Sequence, residues 1–258
     1  SRAISYRKTN NIAFKDVKIS VGIQKMIRSD IGSAGVAFSL DPETGYDKAI
    51  VINAAFGLGE LVVSGGIKPD EIIIDKRTLK IITADPIVMK SIGDKHTKIV
   101  YSNEGVEECE TNLIEKINIS ITNNQAIELA KSVLLLEENY SKLFNKKIGI
   151  DVEWALDGID NQMYIIQTRP ETIHSTQNNL QELQQYTIQP TNSPIVCGVS
   201  VGEKVSSGKI KCLNDISEFK LFEKGDILVT DMTTPDWEPL MKISSGIITN
   251  KGGRTCHA

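Results

Sequence analysis

Hydrophobic and polar positions divide the chain into a strand-rich first part, one long amphipathic helix and a second strand-rich part. Short β-branched runs broken by Gly, Pro and Asp are typical of strands. In the first part they predict strands at residues 17–27, 35–40, 49–55, 71–75 and 79–83. Together with the helix, this pattern predicts an α+β fold.

The long helix is predicted from residue 122 to residue 144. Thr122 and Gln125 have the spacing of an N-terminal capping box, and apolar residues then recur at helical spacing. We expect this apolar stripe to face the core. It consists of Ala126, Leu129, Ala130, Val133, Leu136, Tyr140, Leu143 and Phe144.

The most regular β pattern predicts a hairpin with strands at residues 148–154 and 163–169 and a turn near Asp157. Side chains alternate across a strand, so Asp151 and Glu153 share the face opposite the apolar residues. A register that pairs odd positions with odd positions would set these carboxylates beside Gln167 and Arg169. The opposite face of the first strand carries Ile148, Ile150, Val152 and Trp154.

The polar face of this hairpin has the chemistry of a metal–nucleotide site. Carboxylate and amide oxygens are ligands that Mg²⁺ prefers, and the planar fork of an arginine suits a phosphate. A solvated hairpin face with a surface ion pair explains the same residues equally well. The residues alone leave both interpretations open.

Beyond the hairpin, hydrophobic periodicity fades between residues 174 and 194, where Gln, Asn, Ser and Thr predominate, which predicts a linker. The β-rich pattern then returns and predicts strands at residues 199–205, 208–213, 225–231 and 246–250. A short helix is predicted at residues 236–242, with Pro235 at its boundary.

Composition narrows the class of protein. The chain has 258 residues, of which 40% are hydrophobic and 24% charged, as in a soluble globular protein. The net charge is −4 and no basic run is present, so we expect no nucleic-acid partner. Four separate cysteines without zinc-site spacing fit a reducing compartment. Apolar runs are too short to span a bilayer, so we expect a cytoplasmic protein without a membrane partner.

The last residues carry one suggestive histidine. Imidazole has an uncharged nitrogen at neutral pH that can attack phosphorus. Gly252 and Gly253 permit a close approach of the backbone to a phosphoryl group, and Arg254 adds a cation before His257. A glycine turn with a half-buried histidine is the alternative that chemistry alone leaves open.

Several strings of the sequence, in this order and spacing, resemble the phosphoenolpyruvate synthase (pyruvate, water dikinase) branch of the PEP-utilizing enzyme family. The strings are Arg2-Ala-Ile-Ser-Tyr-Arg7, Ile23-Gln-Lys-Met-Ile27, Gly35-Val-Ala-Phe-Ser39, Gly57-Leu-Gly-Glu60, Asp151-Val-Glu-Trp154, Ile166-Gln-Thr-Arg-Pro-Glu171, Thr230-Asp-Met-Thr-Thr-Pro-Asp-Trp-Glu-Pro239 and Thr249-Asn-Lys-Gly-Gly-Arg-Thr-Cys-His-Ala258.

The resemblance implies a domain plan. Residues 1–173 correspond to the C-terminal part of an ATP-grasp nucleotide-binding domain, 174–194 to a linker, and 195–258 to the start of a swivelling phosphohistidine β/α domain. The chain would then be an internal fragment of a longer enzyme, and we expect the fragment itself to be inactive.

The resemblance also implies a reaction, in which ATP, pyruvate and water become AMP, phosphoenolpyruvate and phosphate through a phosphohistidine, with Mg²⁺ as cofactor. Such an enzyme serves gluconeogenesis, and we expect a homo-oligomer at full length. Two alternatives are another phosphohistidine phosphotransferase, of the rifamycin phosphotransferase or glucan dikinase type, and a nucleotide-binding module without catalysis.

Residue roles follow by position from the resemblance. His257 matches the phosphoryl-accepting nucleophile, and Thr255 matches a threonine modified by a regulatory kinase/phosphorylase. Glu153 and Gln167 match ligands of the nucleotide and Mg²⁺, and Arg169 matches a phosphate-binding arginine. The remaining nucleotide-binding positions are Gln24, Lys25, Met26 and Ile27 at the adenine hinge and Glu60 towards the phosphates; Asp151 has a supporting role, and His96, His174 and Cys256 have none.

Overall fold

The computed structural model describes residues 4, 7, 12–13, 17–18, 20–81, 83–171, 193–198, 200–201 and 205–251. The strands are β1 (Ser33–Phe38), β2 (Ala49–Phe56), β3 (Asp70–Asp75), β4 (Ile87–Ser91), β5 (Thr97–Ser102), β6 (Gly105–Glu110), β7 (Ile150–Leu156), β8 (Met163–Pro170), β9 (Ile210–Cys212), β10 (Ile227–Thr230) and β11 (Gly246–Thr249). The helices are α1 (Glu60–Ser64), α2 (Leu113–Ile117), α3 (Asn123–Leu143) and α4 (Glu238–Met241). This mixture of helices and strands agrees with the predicted α+β class.

The larger part of the fold is a six-stranded antiparallel sheet in the order β4-β3-β2-β1-β7-β8. Helix α3 packs against one face, which we call the covered face, and a continuous apolar core lies between them. Trp154 on β7 and Leu129 on α3 are both almost completely buried in this core. Each such side chain contributes roughly 1.5–3 kcal/mol when it leaves water. The other face of the sheet, which we call the open face, carries α1.

Helix α3 begins as the sequence predicts. The amide of Thr122 donates to Gln125 Oε1 at 2.8 Å, and the amide of Gln125 donates to Thr122 Oγ1 at 3.3 Å, which confirms the capping box. The predicted apolar stripe is buried from Ala126 to Val133 and packs on the core as far as Tyr140. The prediction is wrong for Leu143 and Phe144, which are 77% and 52% exposed because the last turn extends beyond the core.

An ion pair between Asp70 and Lys95, both fully buried, lies where β3 begins. Asp70 also accepts hydrogen bonds from the backbone amides of Gly93 and Ser120 and from the Ser120 hydroxyl, at 2.8–2.9 Å. Buried charges are tolerated when they are paired and hydrogen-bonded in this way. The pair therefore ties β3 to the loop before β5 and to the loop between α2 and α3.

A second buried ion pair lies at the other end of β3. The Lys76 ammonium donates to both carboxylate oxygens of Glu137 on α3 at 2.7 Å. Burial lowers the pKa of Lys76, and Glu137 opposes that shift. The apolar core is thus bounded at both ends of β3 by a paired charge.

Two strand predictions in the first part are wrong. Residues 17–18 and 20–27 form no strand. Because β1 is already paired with β2 on one edge and with β7 on the other, it has no free edge for another strand. Gln24 bonds to the sheet through its side chain. At residues 79–83 the chain instead turns through a 3₁₀ segment, Thr78–Lys80, because Asp75 accepts hydrogen bonds from the amides of Arg77 and Thr78. Strands β4, β5 and β6 and helices α1 and α2 were not predicted as elements.

The second part is a three-stranded parallel sheet in the order β11-β10-β9. Its small core contains Leu213, Phe222, Leu228, Trp237 and Leu240. The predicted strands at residues 208–213, 225–231 and 246–250 correspond to β9, β10 and β11, and the short predicted helix corresponds to α4. The predicted strand at 199–205 is absent from its described residues, 200, 201 and 205, and most of the predicted linker lies outside the described residues.

Within the described part of the chain, no helix is both long and apolar enough to cross a membrane.

Candidate functional site

The β7–β8 hairpin brings the predicted polar residues together on the open face. Asp151 is paired with Arg169 and Glu153 with Gln167, so the predicted odd-with-odd register is confirmed. Directly before Gln167, β8 contains a β-bulge, and Ile166 is its extra residue. Residues directly opposite each other in an antiparallel pair have Cβ atoms about 4.5–5.5 Å apart. The carboxylate and the amide are therefore neighbours on a rigid element.

Glu153 and Gln167 have side-chain oxygens that are available to a ligand. Glu153 is half-buried and Gln167 is exposed, and neither side chain forms a hydrogen bond or ion pair with another described residue. The opposite face of β7 anchors the pair, because Ile150, Val152 and Trp154 are at most 1% exposed. The hairpin thus places two oxygen-bearing side chains next to each other, neither of them paired with another described residue.

Asp151 and Arg169 form an ion pair beside these groups. Arg169 Nε donates to Asp151 Oδ2 at 3.0 Å, while the Arg169 side chain remains 69% exposed. Burial raises the pKa of Asp151 and Glu171 adds to that effect, whereas Arg169 opposes it. Asp151 thus fixes one edge of the guanidinium, which leaves its other N–H groups directed away from this bond.

Asn53 is a polar residue of the open face that the sequence interpretation missed. The pairing of neighbouring strands places it in one row with Val36, Glu153 and Gln167. It is only 3% exposed, yet its side-chain amide forms no hydrogen bond with another described residue. The available signal was an asparagine inside an otherwise apolar predicted strand, Ala49–Phe56. A buried amide without a partner is unfavourable unless a ligand or water satisfies it.

The predicted adenine hinge, Gln24 to Ile27, lies against β8. Gln24 Nε2 donates to the carbonyl of Ile166 at 3.1 Å, and Lys25 Nζ lies 5.7 Å from the centre of the Tyr164 ring. Ile27 is buried against Tyr164 and Ile166, whereas Met26 is 67% exposed. The hinge therefore contacts the bulge residue that precedes Gln167.

Glu60 lies on the open face as the exposed first residue of α1. Helix α1 follows Gly57, whose φ of +86° favours glycine, and packs Val62 near Val36 of the polar row. The structure thus brings Glu60 to the same face as Glu153 and Gln167.

The predicted nucleophile His257 and the regulatory Thr255 lie outside the described residues, as do Cys256 and His174. The description ends at Lys251, whose amide donates to the carbonyl of Asp231 at 3.0 Å. His96 is exposed, with Nε2 2.6 Å from Asp94.

No cluster of three or more His, Cys, Asp or Glu side chains with the arrangement of a metal site is found among the described residues. Amide oxygens of glutamine and asparagine can also bind a hard cation. The Glu153–Gln167 pair supplies two hard oxygen ligands, which suits a cation that also binds phosphate oxygens and water.

Comparisons with known proteins identify the family of the chain. Residues 1–189 match the family described as pyruvate phosphate dikinase, AMP/ATP-binding domain, and residues 222–258 match the family described as PEP-utilising enzyme, mobile domain. The phosphoenolpyruvate synthases of Aquifex aeolicus, Neisseria meningitidis serogroup B and Escherichia coli are 42%, 40% and 40% identical over the whole chain.

The chain spans about a third of the length of these relatives, 31%, 32% and 32% respectively. The resemblance inferred from the sequence strings is thereby confirmed. The chain belongs to the pyruvate phosphate dikinase AMP/ATP-binding domain family, continues into a mobile domain of PEP-utilising enzymes, and is similar throughout to phosphoenolpyruvate synthases.

Proposed function

We propose that this chain is the nucleotide-binding and phosphoryl-accepting portion of a phosphoenolpyruvate synthase, which converts ATP, pyruvate and water to AMP, phosphoenolpyruvate and phosphate. The six-stranded sheet is the C-terminal part of an ATP-grasp domain, and the parallel sheet begins the swivelling phosphohistidine domain. The observation that carries the proposal is the pairing of Glu153 with Gln167 on the open face, where neither side chain has a hydrogen-bond or ion-pair partner among the residues that the structure describes.

Glu153 and Gln167 would supply protein ligands to the Mg²⁺ that accompanies ATP. A carboxylate and an amide oxygen on adjacent strands suit this hard cation, which when bound neutralises charge on the phosphate oxygens. Arg169, fixed at one edge by Asp151, directs its remaining N–H groups towards a phosphate. Gln24 to Ile27 line the base, and Glu60 lies towards the phosphates.

His257 is the phosphoryl acceptor in this proposal. One imidazole nitrogen forms a bond to the β-phosphorus of ATP, and the bond from that phosphorus to the oxygen of AMP breaks. Water then releases the terminal phosphate, and the remaining phosphoryl group passes to pyruvate. Phosphorylation of Thr255 by a regulatory kinase would place negative charge two residues away and repel the incoming phosphoryl group.

Incubation of the full-length protein that carries this sequence with ATP labelled at the β-phosphorus tests the acceptor. We expect an acid-labile, base-stable label that the His257→Asn variant lacks. The matched control is His96→Asn, which alters an exposed histidine and should label as the wild type does. Labelling that persists in His257→Asn, or no label in the wild type, would contradict the proposal.

Glu153→Gln tests the metal site. We expect labelling to slow by about 100-fold, because charge stabilisation by positioned groups contributes on that scale. Binding of Mn²⁺, followed by its electron paramagnetic resonance signal in the presence of a non-hydrolysable ATP analogue, should weaken in parallel. Glu108→Gln, which changes an exposed glutamate on β6, serves as the control. Unchanged Mn²⁺ binding in Glu153→Gln would remove Glu153 from the metal site.

A further inference from the structure

The β5–β6 hairpin contacts both ends of the proposed nucleotide site. We propose that this hairpin positions the site and that Tyr101, on β5, determines its selectivity for the adenine base. The inference rests on the proposed function, since it concerns how ATP is held, but the contacts that carry it involve none of the residues proposed to bind metal or accept the phosphoryl group.

The first contact is with the adenine hinge. The Tyr101 hydroxyl donates to Met26 Sδ at 2.7 Å, and the Arg28 guanidinium lies 5.9 Å from the centre of the Tyr101 ring. Arg28 is itself held by two hydrogen bonds to Asp30, at 2.8 and 2.9 Å. Since Gln24 is tied to Ile166 on β8, the hinge is held on one side by the main sheet and on the other by Tyr101.

The second contact is with the turn that leads to Glu60. The amide of Leu58 donates to the carbonyl of Ile99 at 2.9 Å. A Cβ added to Gly57 would lie 2.6 Å from the same carbonyl oxygen, so glycine permits this close approach. One strand, β5, therefore fixes the turn before α1 through its backbone and the hinge through Tyr101.

The base of the hairpin is anchored. Lys95, just before β5, forms the buried ion pair with Asp70, and the Thr111 hydroxyl, just after β6, donates to the carbonyl of His96 at 3.0 Å. Lys98 Nζ lies 2.5 Å from Glu115 on α2. Because its base is fixed, the hairpin can hold both the adenine hinge and the turn before α1 in place. A hairpin with a mobile base could not do so.

Base selectivity is the property that this arrangement controls. Adenine and guanine differ at the edges of the ring, and discrimination requires polar groups at fixed positions. The exposed Met26 and its neighbours can present such groups only if the hinge does not shift, and the Tyr101 hydroxyl bonds directly to Met26. Loosening the hinge should therefore weaken ATP binding and reduce selectivity, without altering the transfer step.

The experiment compares Tyr101→Leu and Tyr101→Phe in the full-length protein, with Tyr46→Leu as the control. Tyr46 is half-exposed and lies in the β1–β2 loop, at the opposite end of β1 from the hinge. For Tyr101→Leu we expect the KM for ATP to rise about fivefold and the ratio of kcat/KM for ATP over GTP to fall by a similar factor, with kcat nearly unchanged. Tyr101→Phe, which retains the ring beside Arg28, should show a smaller shift in the same direction.

A loss of kcat at unchanged KM and unchanged ATP/GTP ratio would assign Tyr101 a purely structural role and overturn the inference, as would wild-type behaviour of both variants. If Tyr101→Leu does not fold, Tyr101→Phe and Met26→Leu decide by the same ratio. Labelling of wild-type His257 distinguishes the two proposals, because its absence refutes the proposed function, whereas labelling with unaltered selectivity refutes only the role of Tyr101.

Discussion

The two faces of the six-stranded sheet consist of alternate residues of the same strands, yet their polar groups are used differently. On the covered face, the charged Asp70 and Lys76 are buried and each is paired with a buried partner. On the open face, Glu153 and Gln167 have no hydrogen-bond or ion-pair partner among the described residues, and the partner of Asp151 is largely exposed. The two faces therefore differ in how their polar groups are satisfied: by buried ion pairs on the covered face, and by an exposed ion pair or no described partner on the open face.

The largest expected difference in the free energy of unfolding is between substitutions at two adjacent positions of β7. Trp154→Ala removes a fully buried ring and should lower the free energy of unfolding by about 3–5 kcal/mol. Glu153→Ala, one residue away on the open face, should change it by less than about 0.5 kcal/mol. Urea denaturation of both variants measures the difference. Comparable destabilisation by Glu153→Ala would mean that the open face also supports the fold.

Ion pairs on the two faces provide the next comparison. Lys95→Met leaves the buried Asp70 without a cation and should cost about 3 kcal/mol of stability. Arg169→Met removes an exposed partner and should cost less than about 1 kcal/mol. Both replacements keep a long unbranched side chain, so the difference in unfolding midpoint reports the burial of the charge. Equal losses would refute the distinction between the faces.

The smallest effect concerns pH. Because the pKa of Asp151 is raised in the folded state, its contribution favours folding at low pH and is lost as pH rises through the folded pKa. The pKa of Asp30 is lowered by its hydrogen bonds from Arg28, so its contribution is present above the ordinary aspartate pKa and is lost as pH falls through the folded pKa.

Asp151→Asn should therefore stabilise the protein slightly at pH 7, by less than about 1 kcal/mol, and have no effect at pH 3. Asp30→Asn should destabilise it at pH 7, and this loss should shrink in acid. Thermal unfolding of both variants across pH 3–7 measures the two trends. A destabilising Asp151→Asn at neutral pH would show that its bond to Arg169 outweighs the effect of burial.

The sequence predicted the polar hairpin because strict alternation of apolar and polar residues specifies both a strand and its faces. The same criterion failed for the β5–β6 hairpin, since β6 is Gly-Val-Glu-Glu-Cys-Glu and exposes almost every residue. It also failed for residues 17–27, where Val21 and Ile23 are 84% and 98% exposed. These two apolar side chains face solvent. A method that takes apolar residues to be buried strand positions therefore predicts a strand here that does not form.

Only the part of the candidate site that lies within one hairpin was predicted from the sequence. Glu153 and Gln167 belong to one hairpin, and their pairing followed from its register. Asn53 joins them only through the order of four strands, in which β1 lies between β2 and β7. Tyr101 and Met26 are 75 positions apart in sequence, and their contact depends on the anchored hairpin. Contacts that depend on strand order require the folded structure.

The bulge at Ile166 places the two halves of β8 in different phases. After the bulge, Thr168 bonds to Tyr140 of α3 while Gln167 and Arg169 lie on the open face. Before the bulge, Met163 packs against the apolar core although its number is also odd. A strand of a single phase would have to expose Met163 or bury Gln167. The extra residue thus lets one strand bury Met163 on the covered face and keep Gln167 and Arg169 on the open face, and deleting it would turn one half of the strand to the opposite face.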